Sequence, residues 1–296
     1  MNALKVLDVS LRDGGHRTNF HFSREELKHI IGLLDKAGLD YIEIGYRNGS
    51  LHPIPDIGCA GLCEQDYLAY CRSLMKQSQM AVMVHPEKVS ASDISELKQN
   101  GVDLIRICVI RGGVATACPV IDMVREYGMR VSVNFIHASQ YQEQELDHVV
   151  ATAMKHQPDL IYFADSNGSL QPGRVQKIFQ IYTQRYPAAF GFHAHDNLGL
   201  AQTNTLAAIE AGAQYVDASL AGMGKGTGNL KTEFFIAYLH ACGLPNYDLD
   251  EVVAAANYVR RVLHIGQEEL EMDEFIRGIA DLSTAEMKTY YKRQTD

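Results

Sequence analysis

No CxxC pair and no zinc-ribbon spacing occurs among the six cysteines, Cys59, Cys63, Cys71, Cys108, Cys118 and Cys242. This excludes the usual cysteine-rich structural zinc and leaves the thiols reduced, as in the cytosol. No apolar run approaches the eighteen or more residues of a membrane span, and the N-terminal MNALKVLDVSLRD holds no segment of signal length. A soluble, cytoplasmic protein with no membrane partner is therefore expected. No Lys/Arg cluster interrupts a formal net charge of −9 and a pI of about 5.7. Non-specific nucleic-acid binding needs a basic footprint, so nucleic acid is excluded as a partner. No GxGxxG fingerprint follows the first apolar run, and no Pro/Gly/Ser-rich hinge divides the chain.

What is present is alternation. The 296 residues are 46% hydrophobic and 21% charged, enough for a core without staples. Short apolar, β-branched runs (KVLDVSL, YIEIGY, QMAVMVH, DLIRICVI, RVSVNFIHAS, DLIYFADS, AFGFHAHDN, QYVDASLAG) alternate with segments of helical spacing. Such near-continuous apolar strands suit a parallel sheet covered by helices. In SREELKHIIGLLDKAG, Ser23 is placed as an N-cap with Glu26 as its capping-box partner, and Leu27, Ile30, Ile31 and Leu34 share one face. Gly38, Gly101, Gly128 and Gly212 close helices just before the next strand. Eight strand–helix units of roughly thirty residues predict an α/β fold, a (β/α)8 TIM barrel, over an open doubly wound sheet. The barrel is assigned to residues 1–243. Residues 244–296 leave the repeat and are read as a short C-terminal helical extension packed on the barrel.

Catalytic groups of such barrels sit at the C-terminal strand ends. The first strand ends in LRDGGH, the sixth in Asp165-Ser166-Asn167, the seventh in His193-Ala194-His195, and the eighth in GMGKGTGN. Residues i and i+2 of a strand share a face, so His193 and His195 form half of a divalent metal site. Asp13 supplies a carboxylate two strands away. Two imidazoles and one carboxylate with open positions are a catalytic donor set, suited to Mn²⁺, Mg²⁺, Co²⁺, Fe²⁺ or Zn²⁺. Arg12 and Asp13 are adjacent and would face opposite ways in a regular strand. Both reach one site only if the strand has ended, which Gly14 and Gly15 allow.

LRDGGH, HAHDNLGLA and DASLAGMGKGTGN together resemble the metal-dependent aldolase and lyase superfamily of TIM barrels. This group includes 4-hydroxy-2-oxovalerate aldolase, hydroxymethylglutaryl-CoA lyase, isopropylmalate and homocitrate synthases and the carboxyltransferase domain of pyruvate carboxylase. The spacing of His16 after Asp13 is most similar to the aldolase branch. The resemblance implies a divalent metal, foremost Mn²⁺, held by Asp13, His193 and His195, with Asn229 as a further metal-site residue. It implies that Arg12 stabilises an enolate oxygen, that His16 is the base and that Ser166 contacts substrate. The implied partners are a small 2-oxo acid and an aldehyde.

Arg47 after the second strand and Arg106 in the fourth are candidates for a substrate carboxylate, against a solvated loop position and an ion pair respectively. The aldolases dock an aldehyde dehydrogenase through a longer C-terminal region carrying a tyrosine proton donor. Neither Tyr290 nor Tyr291 has a matching context here, so a stand-alone enzyme is expected; homo-oligomerisation is left open. The competing readings are an acyl-CoA lyase or Claisen-type synthase, against which GMGKGTGN lacks a cysteine, and a non-catalytic barrel partner.

Overall fold

The computed structural model describes residues 4–294. Eight parallel strands close into a barrel in sequential order, with β8 pairing back onto β1. The strands are β1 (Lys5–Asp8), β2 (Tyr41–Tyr46), β3 (Gln79–Val84), β4 (Leu104–Val109), β5 (Arg130–Phe135), β6 (Leu160–Asp165), β7 (Ala189–Ala194) and β8 (Tyr215–Ala218). The outer ring is α1 (Arg24–Lys36), α2 (Gln65–Leu74), α3 (Ala91–Gln99), α4 (Val114–Glu126), α5 (Glu143–Met154), α6 (Pro172–Arg185), α7 (Ala201–Glu210) and α8 (Thr232–Ala241). No helix among the described residues is long and apolar enough to cross a membrane.

Local chemistry sets the helix ends as expected. The Ser23 side chain accepts from the Glu26 amide, and the Glu26 carboxylate accepts from the Ser23 amide. Leu27, Ile30, Ile31 and Leu34 are buried. Gly38 takes φ +77° beyond the helix end, a conformation that costs a Cβ-bearing residue about 1–2 kcal/mol.

The barrel interior is layered. Near the N-terminal ends of the strands, Leu7, Tyr41, Leu104, Leu160, Tyr162 and Tyr215 form an apolar plug. Gly191 makes room for it, since a Cβ there would lie 2.4 Å from Cζ of Tyr162. Above the plug the inward residues become charged: Glu43, Arg106 and Asp217.

The extension comprises α9 (Leu249–Val262), α10 (Met272–Ala280) and α11 (Thr284–Gln294). α9 packs against α1, with the Tyr258 ring stacked on His29 at 4.6 Å. The chain then reaches the C-terminal face of the barrel. There Asp281 Oδ1 accepts from Ser139 Oγ (2.6 Å), Asn167 Nδ2 (2.8 Å) and Ser169 Oγ (2.7 Å). One carboxylate thus fastens the α10–α11 junction to the loops after β5 and β6.

A candidate metal centre in the barrel mouth

β1 ends at Asp8, three residues before the end of the predicted run. The chain then turns: the amides of Arg12, Asp13 and Gly14 all donate to the Val9 carbonyl, at 3.2, 2.8 and 3.2 Å. A 3-10 turn over Gly14–Arg17 follows. This early ending lets both adjacent side chains enter the mouth. The Arg12 guanidinium donates to Asp13 Oδ1 at 2.7 Å and to Glu43 Oε2 at 2.7 Å.

β7 delivers His193, and His195 stands just beyond it, bridged to Asn229 of the glycine-rich run. The two Nε2 atoms lie 3.3 Å apart, and His195 Nε2 lies 3.8 Å from Asp13 Oδ2. Ligand atoms of Asp13, His193 and His195 all fall within 4.8 Å of one another, and all three residues are buried. Two nitrogens each about 2.1 Å from one ion would sit about 3.0–3.4 Å apart, from octahedral to tetrahedral angles, so the pair is spaced for a shared cation. Nδ1 of His193 is hydrogen-bonded to Asp217 Oδ2 at 3.0 Å. With Nδ1–H donating to that carboxylate, the lone pair is left on Nε2, an arrangement usual for metal-bound histidine. Asn229 Nδ2 donates to Asp13 Oδ2 at 3.0 Å and holds that carboxylate from the other side; its own Oδ1 is buried with no protein partner. Gly224 permits this approach, because a Cβ there would lie 2.6 Å from Asn229 Nδ2 and 2.8 Å from Asp13 Oδ2.

The charges beneath the site form a chain: Asp13, Arg12, Glu43, Arg106, Asp217, His193. Arg106 donates to Glu43 Oε2 at 2.9 Å and to Asp217 Oδ2 at 2.7 Å. Glu43 and Asp217 balance Arg12 and Arg106, so the formal negative charge of Asp13 itself remains for the donor set. Burial alone would protonate Asp13, but the Arg12 guanidinium 2.7 Å away outweighs it and holds the carboxyl well below its usual range. Burial pushes His195 down to about 3, which keeps the imidazole neutral as a ligand must be.

His16 is half-buried, with its ring edge-on to Phe20 at 4.8 Å and its Nε2 buried without a partner. Burial, then the nearby Lys225, lowers it to about 3, so the imidazole is neutral. Ser166 lines the same cavity, and its Oγ accepts from the His137 amide at 3.0 Å. The cavity of about 450 Å³ thus gathers Arg12, Asp13, His16, Ser166, His193 and His195, with Asn229 directly behind Asp13.

Two expected contacts are not brought there. Arg47 is held by Asp93 (2.9 Å), Glu96 (3.0 Å) and the Cys63 carbonyl (2.8 Å), pinning α3 to the loop after β2. Arg106 takes the ion-pair alternative; it is fully buried below the cavity with its guanidinium 4.4 Å from the Tyr162 ring centre. Conversely, Glu43, Asp217, Lys225, Arg277 and Lys288 were not singled out as site residues. Glu43 and Asp217 carried a usable signal, as lone carboxylates within apolar strands. Arg277 comes from α10. It pairs with Glu274 at 2.8 Å and donates to the Ser166 carbonyl at 3.3 Å, so the extension forms part of the cavity wall. Tyr291 donates to Asp273 at 2.5 Å, and neither it nor Tyr290 lines the cavity.

This closed barrel carries an Asp/His/His donor set at its C-terminal mouth, and comparison with known proteins places it in a family. The family described as HMGL-like matches residues 3–259, and the chain belongs to that family. A protein of Thermomicrobium roseum named 4-hydroxy-2-oxovalerate aldolase is 32% identical over 264 residues, 86% of this chain and 72% of its own length. A Mycobacterium tuberculosis protein named oxaloacetate decarboxylase is 30% identical over 256 residues, 85% of this chain and 74% of its own. Among solved structures, the N-terminal domain of a Bacteroides vulgatus protein superposes with a TM-score of 0.84 at 25% identity, covering 98% of this chain and 97% of that one.

Proposed function

We propose that the chain is a divalent-metal-dependent aldolase that cleaves or forms the C3–C4 bond of a 4-hydroxy-2-oxo acid through pyruvate enolate. The observation that carries this reading is the unpartnered, neutral His16 imidazole in the same cavity as the Asp13/His193/His195 donor set. Those three residues would hold the ion, with Mn²⁺ the first expectation. A bound divalent ion supplies Lewis acidity toward the keto oxygen of a 2-oxo acid.

In cleavage, His16 Nε2 accepts the proton of the substrate's 4-hydroxyl. The C3–C4 bond breaks, its electron pair passes to the keto oxygen, and the aldehyde leaves. The Arg12 guanidinium, held by Asp13 and Glu43, supplies fixed positive charge toward that oxygen. Preorganised donors of this kind contribute about 3–4 kcal/mol each. A proton then returns to C3 and gives pyruvate. Ser166, in the cavity wall, is positioned for a substrate contact.

The second reading is β-decarboxylation of a 2-oxo diacid, favoured by the relative named oxaloacetate decarboxylase. It yields the same enolate but has no hydroxyl proton for His16 to take. Pyruvate release from 4-hydroxy-2-oxovalerate and from oxaloacetate, by the parent and by His16→Gln, separates the two. The aldolase reading expects the first activity, lost in the variant; release from oxaloacetate alone, indifferent to His16, would overturn it.

A further inference from the structure

Aldol cleavage develops charge on two oxygens. Arg12 serves the keto oxygen. At the C4 oxygen His16 takes the proton, and the alkoxide that forms there gains most from a hydrogen-bond donor already in place.

A device in β2 supplies a candidate. Tyr41 and Glu43 point into the barrel, while Ile42 and Ile44 pack outward under the helices. Strict alternation would turn Tyr46 outward with them. The register of β2 against β3 shifts, however: Glu43 pairs with Ala81 and Tyr46 with Met83, so β2 spends three steps where β3 spends two. This bulge brings Tyr46 level with Met83 on the wall of the cavity. Gly45 makes the bulge possible, with φ +152° and a backbone on which a Cβ would overlap the Ala60 carbonyl oxygen. Bulges beside active sites commonly re-aim a side chain in this way.

The re-aimed ring is held on three sides. It lies flat on His85, with ring centres 5.3 Å apart and planes at 14°, and meets Phe20 at 5.7 Å and His16 at 6.2 Å edge-on. Cζ of Arg12 is 5.9 Å from its centre. Tyr46 thus shares one packed cluster with the group that takes the C4 proton. The residue is 5% exposed. A buried tyrosine hydroxyl usually finds a partner, yet this one makes no hydrogen bond to a described residue. It is not among the polar atoms sealed from solvent, so it opens onto the cavity. A phenol is protonated at neutral pH, and burial reinforces that here; the group is available as a donor.

Resting on the aldolase reading, we propose that Tyr46 is a further catalytic residue, whose hydroxyl donates a hydrogen bond to the C4 oxygen of the substrate beside His16. As His16 takes the C4 proton, that bond strengthens onto the forming alkoxide. As the C3–C4 bond breaks, it passes to the aldehyde carbonyl. Tyr46 keeps its own proton throughout.

The test is Tyr46→Phe, which removes one oxygen and keeps the ring against His85 and Phe20. Three quantities are compared with the parent: cleavage of 4-hydroxy-2-oxovalerate, exchange of the methyl protons of pyruvate, and divalent-metal content. Pyruvate has no C4 oxygen, so its exchange does not call on the hydroxyl. Cleavage should fall by about 10²–10³-fold, the cost of one lost oxyanion donor, with exchange and metal content unchanged. Loss of exchange together with cleavage would show that the hydroxyl serves the enolate or the fold, and cleavage near the parent's rate that it serves neither; either result overturns the proposal. Failure of the parent to exchange the methyl protons of pyruvate overturns the aldolase reading itself, before the variant is compared.

Discussion

Asp217 and His193 face each other across neighbouring strands, the carboxylate 3.0 Å from Nδ1 of the imidazole. The same carboxylate oxygen accepts from Arg106 at 2.7 Å. Asp217 therefore does two jobs, fixing the tautomer that turns His193 Nε2 toward Asp13 and His195 and balancing the buried guanidinium. Outer partners of metal-bound histidines are commonly worth about 10–100-fold in affinity. Asp217→Asn is expected to weaken divalent-metal binding by about that factor while leaving the three donors in place, as metal titration would read. Unchanged affinity would assign Asp217 to the ion-pair chain alone.

His195→Ala removes one of three donors. Metal analysis of the purified variant should show loss of the ion and of activity together. Metal content equal to the parent's would contradict the donor assignment.

His16 should separate binding from chemistry. His16→Gln is expected to retain metal and lose about 10²–10⁴-fold in aldol cleavage, the range for a lost general base. A rate near the parent's would remove His16 from that role.

Arg106 is a prediction about stability. Buried ions cost several kcal/mol each to desolvate, and removing one partner of a buried pair typically costs about 3–5 kcal/mol. Arg106→Met leaves Glu43 and Asp217 facing each other without it. Urea unfolding should show destabilisation of that order; a loss under about 1 kcal/mol, the value of an exposed pair, would show that the carboxylates find other partners.

His85 makes a prediction about acid sensitivity. Burial, then the nearby cations, lowers it from 6.5 to about 4. Between those values the unfolded chain binds the extra proton, so this stability is complete above about pH 6.5 and is lost as pH falls toward about 4. Thermal unfolding of His85→Gln should therefore fall less steeply than the parent's between about pH 7 and 4.5. Parallel curves would mean that His85 is protonated in the folded protein.

The fold was legible because local periodicity and topology agree. Eight apolar runs, each followed by an amphipathic segment, leave few alternatives to a closed parallel barrel, and the Ser23 capping box appears as its spacing demands. The donor set was legible for the same reason: His193 and His195 share a strand face, and Asp13 lies two strands away. Arg47 was misplaced because position after a strand does not reveal Asp93 and Glu96 on α3, brought near only by folding. The contribution of Arg277 and Lys288 was hidden because nothing in the irregular pattern after residue 262 indicates that the chain crosses the barrel mouth. That crossing depends on the hydrogen bonds of Ser139, Asn167 and Ser169 to Asp281, between residues more than 110 positions apart.

Proton–deuterium exchange at the methyl group of pyruvate tests the central claim most directly, because it requires only the pyruvate half of the reaction. Chelator-treated protein should not exchange, and adding Mn²⁺ should restore exchange in the parent but not in His195→Ala. Exchange that proceeds equally without the ion, or its absence from protein shown to hold the ion, would contradict the account.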